Sequence, residues 1–366
     1  MPVISIVDRK DQKIIHLIRP EVQALKQYHV PPSRGLIKLD AMENPYSWPA
    51  YLRGEWLEEM QNVTLNRYPD PESTELKARL RQTFGIPAGM DLLLGNGSDE
   101  LIQIINLSLR GRDSKVMVPE PSFSMYRMIA AYVGLPYVGV PLNPDFSLDL
   151  PAMLAAIEQH QPSVIYLASP NNPTGNLFAD GDIEQILRAS RGLVVVDEAY
   201  TAFSGSSFMN RLGEFSNLLV MRTLSKMGLA GLRLGYLVGP TNWLCEFDKL
   251  RLPYNINTLT QATAEFVLRF EDEFEEQIGQ INRDRAWLAE SIRRLKGTEV
   301  FPSDANFVLF RVGKGQADRI HIALQKKGVL IKNMNGVHEL LQDCLRVTVG
   351  KPSENVAFLS ALTSAL

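Results

Sequence analysis

Between about residues 70 and 260, short apolar runs alternate with stretches long enough to form helices. The clearest runs are residues 115–118, 163–168, 193–196 and 218–222. Continuous apolar runs are typical of strands buried on both faces, and strands separated by helices are typical of parallel sheets. The pattern therefore predicts an α/β fold with a large, mostly parallel sheet covered by helices on both faces. In such sheets, ligands bind beyond the carboxyl ends of the strands.

The length of 366 residues exceeds what one ordinary core accommodates, which predicts two domains. Residues 1–35 carry Pro20, Pro31 and Pro32 with little periodicity, so we expect an N-terminal arm lying on the body or on a neighbouring subunit. Residues 36–260 are expected to form the large domain, with its first part able to pack against the small domain. Residues 261–366 are expected to form a smaller α+β domain. Residues 258–296 predict one long helix or a bent pair of helices.

Composition argues against several functional classes. A net charge of −3 does not suggest binding to nucleic acid or to an anionic membrane. No apolar run approaches the roughly 18 residues of a membrane span, and the first residues lack the pattern of a signal peptide. Cys245 and Cys344 form no CxxC pair, and His338 lacks the second histidine of a zinc-protease motif. We therefore expect a cytoplasmic protein without a catalytic metal.

A lysine and an aspartate carry the strongest chemical signal. Asp197 ends an apolar run and is followed by Tyr200, while Lys226 lies further along in a polar turn that contains Thr223 and Ser225. Taken singly, Asp197 suits a helix cap or an ion pair, and Lys226 suits a solvated surface lysine. Together they suggest pyridoxal phosphate chemistry, in which a lysine forms a Schiff base and an acid pairs with the pyridine nitrogen.

Two further segments suit a phosphorylated cofactor, although each also has a structural interpretation. Residues 95–100 open an apolar helical face, with Ser98 as N-cap and Asp99 in the first turn, so they predict either a phosphate site or an ordinary capped helix. Their glycines do not complete the GxGxxG pattern of a dinucleotide site. Residues 169–175 predict a turn, in which Asn172 could also donate a hydrogen bond to the cofactor.

Two arginines stand in otherwise apolar segments. Arg233 follows Lys226 by seven positions, and Arg346 lies in the strand-like segment 344–350. A partly buried arginine needs an anionic partner to offset the cost of desolvation. For Arg233 this partner is either a phosphate or an internal carboxylate, and Arg346 could in the same way bind a substrate anion.

Motifs spread along the chain carry a family resemblance. In order they are NRYP at 66–69, SPNNPTG at 169–175, DEAY at 197–200, TLSK at 223–226, AGLRLG at 230–235 and LRVTVG at 345–350. This set resembles the fold-type I pyridoxal-phosphate aminotransferases, most closely the histidinol-phosphate aminotransferases, over nearly the whole chain. The resemblance implies reversible amino transfer between L-histidinol phosphate and 2-oxoglutarate in histidine biosynthesis, by a homodimer that uses pyridoxal 5′-phosphate.

The resemblance also implies roles for individual residues. Lys226 would hold the cofactor and shuttle a proton, Asp197 would pair with the pyridine nitrogen, and Tyr200 would hydrogen-bond the ring oxygen together with Asn172. The other implied cofactor contacts are Ser98, Asp99, Thr223, Ser225 and Arg233 at the phosphate, Phe123 on the ring, and Tyr68 from the other subunit. The implied substrate contacts are Arg346, Asn172, Tyr28 and Lys332.

The chain departs from the family pattern at three places. Met42 stands where asparagine is usual, Arg233 follows Lys226 by seven positions where many relatives have eight, and Lys332 replaces an arginine found in some relatives. Two related activities share much of the motif set, namely threonine-phosphate decarboxylation and aromatic amino acid transamination. A non-catalytic pyridoxal-binding regulator is the remaining alternative, but about 35 residues ahead of the body leave no room for a DNA-binding domain.

Overall fold

The computed structural model describes residues 16–25, 27 and 30–366, with Arg112 described only in its backbone. The strands are β1 (Ile37–Leu39), β2 (Met90–Asn96), β3 (Val116–Glu120), β4 (Tyr137–Pro141), β5 (Val164–Ala168), β6 (Leu193–Asp197), β7 (Leu218–Thr223), β8 (Leu234–Pro240), β9 (Glu299–Val300), β10 (Phe307–Arg311), β11 (Val329–Asn333) and β12 (Cys344–Thr348). The helices are α1 (Pro20–Ala24), α2 (Ala50–Met60), α3 (Thr74–Thr83), α4 (Ser98–Ser108), α5 (Ser124–Val133), α6 (Leu150–His160), α7 (Asp180–Ala189), α8 (Thr201–Ser204), α9 (Thr241–Asp248), α10 (Thr258–Val267), α11 (Glu271–Arg293), α12 (Ala317–Lys326) and α13 (Pro352–Thr363).

The larger sheet has seven strands in the order β2-β8-β7-β6-β5-β3-β4. Strand β8 runs antiparallel to both of its neighbours, and the other neighbouring pairs are parallel. Successive side chains of the central strands enter different cores: Val194 and Val196 pack with α3, α6 and α7, while Val195 packs with α4, α5 and α9. Both faces of the sheet are therefore covered, and the predicted α/β fold class is confirmed.

The second sheet has five strands in the order β1-β11-β12-β10-β9. Strand β1 comes from the N-terminal part of the chain and pairs in parallel with β11, whereas the other pairs are antiparallel. Its core is shared with α11, α12 and α13, which contribute Ile281, Ile320 and Phe358. The domain boundaries predicted from the sequence stay predictions.

Residues 258–293 form two helices, α10 and α11, with a break at residues 268–270. Phe270 precedes α11 in a non-helical conformation and packs on Phe266 with ring centroids 5.0 Å apart. This arrangement corresponds to the bent pair rather than to one long helix. Among the described residues, no helix is both long and apolar enough to cross a membrane.

The parallel strands bring distant segments to one edge of the larger sheet. β5, β6 and β7 all end at this edge: the turn with Asn172 follows β5, Asp197 is the last residue of β6, and the loop with Lys226 follows β7. β2 ends there as well, and α4 begins one residue after it. Because β8 is reversed, it starts at this edge, directly after Arg233. The topology thus collects residues from four separate parts of the sequence.

Candidate active site

A solvent-open cavity of about 560 Å³ lies at this edge of the sheet. The predicted residues that line it are Ser98, Asp99, Phe123, Asn172, Asp197, Tyr200, Thr223, Ser225, Lys226 and Arg233. Met42 and Tyr126 line it too.

Asp197 ends β6 at the bottom of this cavity and is only 4% exposed. Its Oδ2 accepts a hydrogen bond of 2.6 Å from the hydroxyl of Tyr126, and its Oδ1 accepts one of 3.1 Å from the backbone N–H of Ala199. Burial raises the pKa of the Asp197 carboxyl to about 6, and these two hydrogen bonds oppose the rise. The carboxylate is therefore fixed in direction and suited to pair with a cationic nitrogen.

Lys226 lies in a short 3-10 helix, Ser225–Met227, directly after β7. Its Nζ lies 3.5 Å from the carbonyl oxygen of Ala41 and 5.8 Å from the centroid of the Tyr200 ring. Burial and then the neighbouring Arg346 guanidinium lower the pKa of the Lys226 amine to about 8. At pH 7 the uncharged amine is therefore more populated than in an ordinary exposed lysine. The uncharged form is the one needed for nucleophilic attack on an aldehyde.

Asn172, Tyr200 and Arg346 form one hydrogen-bonded group. Asn172 Nδ2 donates to the hydroxyl oxygen of Tyr200 over 3.2 Å, and Asn172 Oδ1 accepts from Arg346 Nη1. Arg346 Nη2 donates to the backbone carbonyl of Asp40 over 3.0 Å. The guanidinium also lies over the ring of Phe307, 5.2 Å from its centroid. A strand of the smaller sheet thereby reaches the cavity of the larger one.

The residues predicted to hold a phosphate lie around the start of α4, where the prediction of Ser98 as N-cap is wrong: Gly97 is the N-cap and Ser98 is the first helical residue. Arg233 Nη2 lies 3.5 Å from Asp99 Oδ2, and Thr223 Oγ1 donates to Ser225 Oγ over 2.9 Å. The first backbone N–H groups of a helix have no partner inside the helix, and its dipole favours an anion there. This end of the cavity therefore combines free amides, hydroxyls and a guanidinium.

Glycine at two positions keeps this cradle open. A Cβ added to Gly235 would lie 2.7 Å from the backbone nitrogen of Ser98, and one added to Gly97 would lie 2.6 Å from Arg233 Nη2. Both distances are shorter than real Cβ contacts allow. The two glycines thus let β2, β8 and Arg233 approach one another closely.

Lys332 is the cross-strand partner of Arg346 in the pairing of β11 with β12. Directly opposed residues lie on the same face of a sheet, with Cβ atoms about 5 Å apart. Burial, and next the charge of Arg346, lower the pKa of the Lys332 amine, while Asp40 opposes this shift. Two cations so placed repel each other, and a bound anion would relieve the repulsion.

Of the predicted residues that the structure describes, Tyr68, Lys332 and Arg346 do not line the cavity. Tyr68 is 79% exposed and stacks on Tyr254, with ring centroids 4.4 Å apart. Tyr28 lies outside the described residues. The roles assigned to Tyr68 and Tyr28 stay predictions.

Tyr126 was not among the residues predicted from the sequence. It lies on the buried face of α5, and its contact with Asp197 joins positions 71 residues apart. A fully buried phenol needs a hydrogen-bond partner. A tyrosine on the apolar face of a predicted helix therefore indicates that its hydroxyl has a hydrogen-bond partner, but the sequence does not identify that partner.

The cavity fits a phosphorylated pyridine ring. The cradle at α4 suits the phosphate, Asp197 suits a protonated ring nitrogen, and Lys226 can join an aldehyde between them. Phe123 lines the same cavity and could cover the ring. Pyridoxal 5′-phosphate carries these three groups on one ring.

Comparison with known proteins agrees with this geometry. Residues 34–362 match the family described as aminotransferase class I and II. The chain is 54% identical to histidinol-phosphate aminotransferase 2 of Nitrosococcus oceani, over 96% of this chain and 97% of that protein. It is 51% identical to histidinol-phosphate aminotransferase 2 of Cupriavidus pinatubonensis, over 99% of both.

The fold is also similar to a crystal structure of histidinol-phosphate aminotransferase from Sinorhizobium meliloti in complex with pyridoxal-5′-phosphate. The TM-score is 0.86 at 25% identity, covering 95% of this chain and 97% of the other. The family match spans most of the chain, and the two relatives share about half of its residues. The chain therefore belongs to the class I and II aminotransferases, whose cofactor is pyridoxal 5′-phosphate.

Proposed function

We propose that this chain transfers an amino group reversibly between L-histidinol phosphate and 2-oxoglutarate, as a step of histidine biosynthesis in the cytoplasm. The names of its close relatives support this choice of substrate. The structural observation that carries the proposal is a pair of opposed cations: Arg346, which donates to the cavity residue Asn172, and its cross-strand partner Lys332. Histidinol phosphate carries a phosphate, and 2-oxoglutarate a carboxylate, close to the carbon that exchanges the amino group. The two cations can bind either anion.

When bound, pyridoxal phosphate supplies an aldehyde for amine exchange and a ring that accepts the electron pair of the broken Cα–H bond. Lys226 then acts as the base that takes the proton from the substrate Cα and returns it on the cofactor side. Its lowered pKa makes the neutral amine available for this step. Asp197 would hold the ring nitrogen of the bound cofactor, and Asn172 and Tyr200 would hold its ring oxygen.

The remaining residues orient the substrate. Arg346 is already held by Asn172 and by the Asp40 carbonyl, so its guanidinium is positioned before an anion arrives. Lys332 adds a point charge next to it, which suits a phosphate with its larger charge better than it suits a carboxylate. This arrangement allows one site to accept the two substrates in turn.

The direct test is to incubate the purified protein with L-histidinol phosphate and 2-oxoglutarate and to measure glutamate. Turnover with this pair is expected to exceed turnover with phenylalanine or tyrosine as amino donor. Carbon dioxide release from threonine phosphate without 2-oxoglutarate would indicate the decarboxylase instead. A better rate with an aromatic amino acid than with histidinol phosphate would contradict the proposed substrate.

We expect the change of Lys332 to alanine to weaken the binding of histidinol phosphate more than the binding of glutamate. The variant should raise KM for histidinol phosphate by about tenfold, the effect of roughly 1.4 kcal/mol, because a charge-assisted contact to the phosphate is lost. The KM for glutamate should change by less than about threefold, since Arg346 remains to bind its carboxylate. The measurement is a full set of initial rates for both donors.

A matched control is Lys249→Ala, which removes an exposed lysine that pairs with Glu246 on α9 and does not line the cavity. This variant should leave both KM values at the wild-type level. Equal changes of both KM values in Lys332→Ala would refute a phosphate-selective role for Lys332.

We further propose that the active unit is a homodimer with shared active sites. Tyr68, Leu65, Leu252 and Tyr254 are large apolar side chains that are 40–79% exposed in the single chain, and Tyr68 stacks on Tyr254. An exposed aromatic and aliphatic patch of this kind is typical of a protein–protein interface. In a dimer that buries this patch, Tyr68 can reach the phosphate cradle of the partner.

Mixing two inactive variants tests the sharing of sites. In a hybrid of Tyr68→Ala and Lys226→Ala protomers, one of the two sites combines an intact Lys226 with an intact Tyr68 from the other protomer. Random reassociation after mild denaturation should therefore restore about one quarter of wild-type activity, since half of the dimers are hybrid and each has one complete site. If Tyr68 acted within its own chain, mixing would restore nothing.

A further inference from the structure

Asp197 is held from two sides. The hydroxyl of Tyr126 donates to Oδ2 over 2.6 Å, and the backbone N–H of Ala199 donates to Oδ1 over 3.1 Å. Each carboxylate oxygen has two lone pairs, so either oxygen can still accept a further hydrogen bond. The two donors therefore fix the plane of the carboxylate and leave room for a ring N–H.

Tyr126 is itself fixed by aromatic packing. It is fully buried, stacks on Tyr166 with ring centroids 4.8 Å apart and planes 10° apart, and meets Phe123 edge to face at 5.6 Å. Tyr166 in turn donates to Asn106 Oδ1 over 2.8 Å. Asn106 belongs to α4, the helix that starts at the phosphate cradle. Stacked rings of this kind leave the Tyr126 hydroxyl little freedom to turn away from Asp197.

We propose that Tyr126 is a positioning residue for the amino transfer, because its hydroxyl orients the Asp197 carboxylate and keeps it ionised against the cofactor's ring nitrogen. Tyr126 also lines the cavity, but no catalytic step of its own is assigned to it. This inference rests on the cofactor site of the proposed function and is independent of the choice of amino donor.

The charges around Asp197 explain why such a donor is needed. Burial is the main cause that raises the pKa of Asp197 to about 6, and the carboxylates of Asp99 on α4 and of Glu198, the residue after β6, act in the same direction. The phenols of Tyr166 and Tyr200 also face this carboxylate. The Tyr126 hydroxyl is the largest influence that lowers the pKa, followed by the Ala199 N–H. Its loss would leave a buried carboxylate with one donor.

The test is the pH dependence of cofactor binding by the cofactor-free protein with Tyr126→Phe. Binding of pyridoxal phosphate, followed by fluorescence quenching from pH 5 to 9, should weaken toward acid in both proteins as Asp197 becomes protonated. In the variant this acid limb should lie about one pH unit higher, because one charge-assisted hydrogen bond is lost. At pH 7, kcat should fall about tenfold while KM for the amino donor stays within about twofold.

A matched control is Tyr166→Phe, which removes the neighbouring buried phenol hydroxyl without touching Asp197. It should leave the acid limb where it is in the wild-type protein. In the Asp197→Asn background, Tyr126→Phe should cause no further shift in the pH dependence of cofactor binding, because both changes act on the same interaction. An additional shift there would contradict the proposal.

A second variant covers the case in which Tyr126→Phe does not fold. Difluorotyrosine at position 126 keeps the ring and the hydroxyl but makes the hydroxyl a stronger donor, so the acid limb should move to lower pH. An acid limb that moves in neither variant would overturn the role of Tyr126. Since cofactor binding needs no amino donor, a wrong substrate would leave these shifts intact and is detected separately by the turnover assay.

Discussion

Changing Lys226 to alanine is expected to reduce turnover by about 10⁴-fold or more, since the chain loses both its nucleophilic amine and its base. No other lysine lines the cavity among the described residues, so none can take over the linkage. Borohydride treatment of the wild-type protein with pyridoxal phosphate should attach the cofactor to the peptide that contains Lys226. The measurements are steady-state turnover and peptide mass after reduction.

The same Lys249→Ala variant serves here as a control for the loss of an unrelated lysine. It should keep wild-type turnover and the labelled Lys226 peptide. A Lys226→Ala protein that still carried borohydride-fixed cofactor at one defined lysine would show that the wrong amine was assigned.

Changing Asp197 to asparagine should lower kcat by about 10³-fold, because the ring nitrogen loses its charged partner at the moment when the ring takes up negative charge. Asparagine has nearly the same shape, so the fold should remain intact. A cofactor analogue methylated on the ring nitrogen carries a permanent positive charge and should restore part of the rate. Asp91→Asn is the matched control, because Asp91 is a half-exposed carboxylate on β2 paired with Arg81.

The same substitution should stabilise the cofactor-free protein at pH 7. The pKa of Asp197 is raised by folding, so the folded state binds its proton more tightly and loses stability as the pH rises from about 4 through about 6. Asparagine avoids this loss, which amounts to at most about 3 kcal/mol. Thermal unfolding should show an advantage for Asp197→Asn at pH 7 that shrinks below pH 6. Near-wild-type turnover, or an advantage that persists at pH 4, would contradict the assigned environment.

The larger sheet and most of the residues that line the cavity could be predicted from the sequence. The apolar runs that end before Asn172, at Asp197 and before Lys226 are central parallel strands, and parallel strands end at a common edge. The order of these runs therefore implied which polar residues meet. Arg233 and Ser98 were recognisable because a lone arginine and a capped glycine turn each favour an anion. The catalytic and binding roles of these residues stay predictions until the substitutions are measured.

Other features depend on contacts that local patterns do not encode. β8 was not predicted as a strand, because Gly235, Gly239 and Pro240 lower its β-propensity and its stability comes from two long neighbours. The bond from Tyr126 to Asp197 follows from the packing of α5 on the larger sheet rather than from a motif. The role proposed for Tyr68 requires a second subunit, and the single chain shows only that its side chain is exposed.

The reversed strand has a mechanical consequence. β7 and β8 form a hairpin closed by Thr223 opposite Gly235 and by the bond from Leu224 N to Leu234 O, at 3.0 Å. Lys226 and Arg233 both lie in the loop that this hairpin closes, so the residue proposed to bind the cofactor covalently and the residue proposed to bind its phosphate belong to one loop. We expect any displacement of the five-stranded sheet to change the contact between Arg346 and the substrate. The distance between Lys226 and Arg233 should stay constant, because one loop holds both.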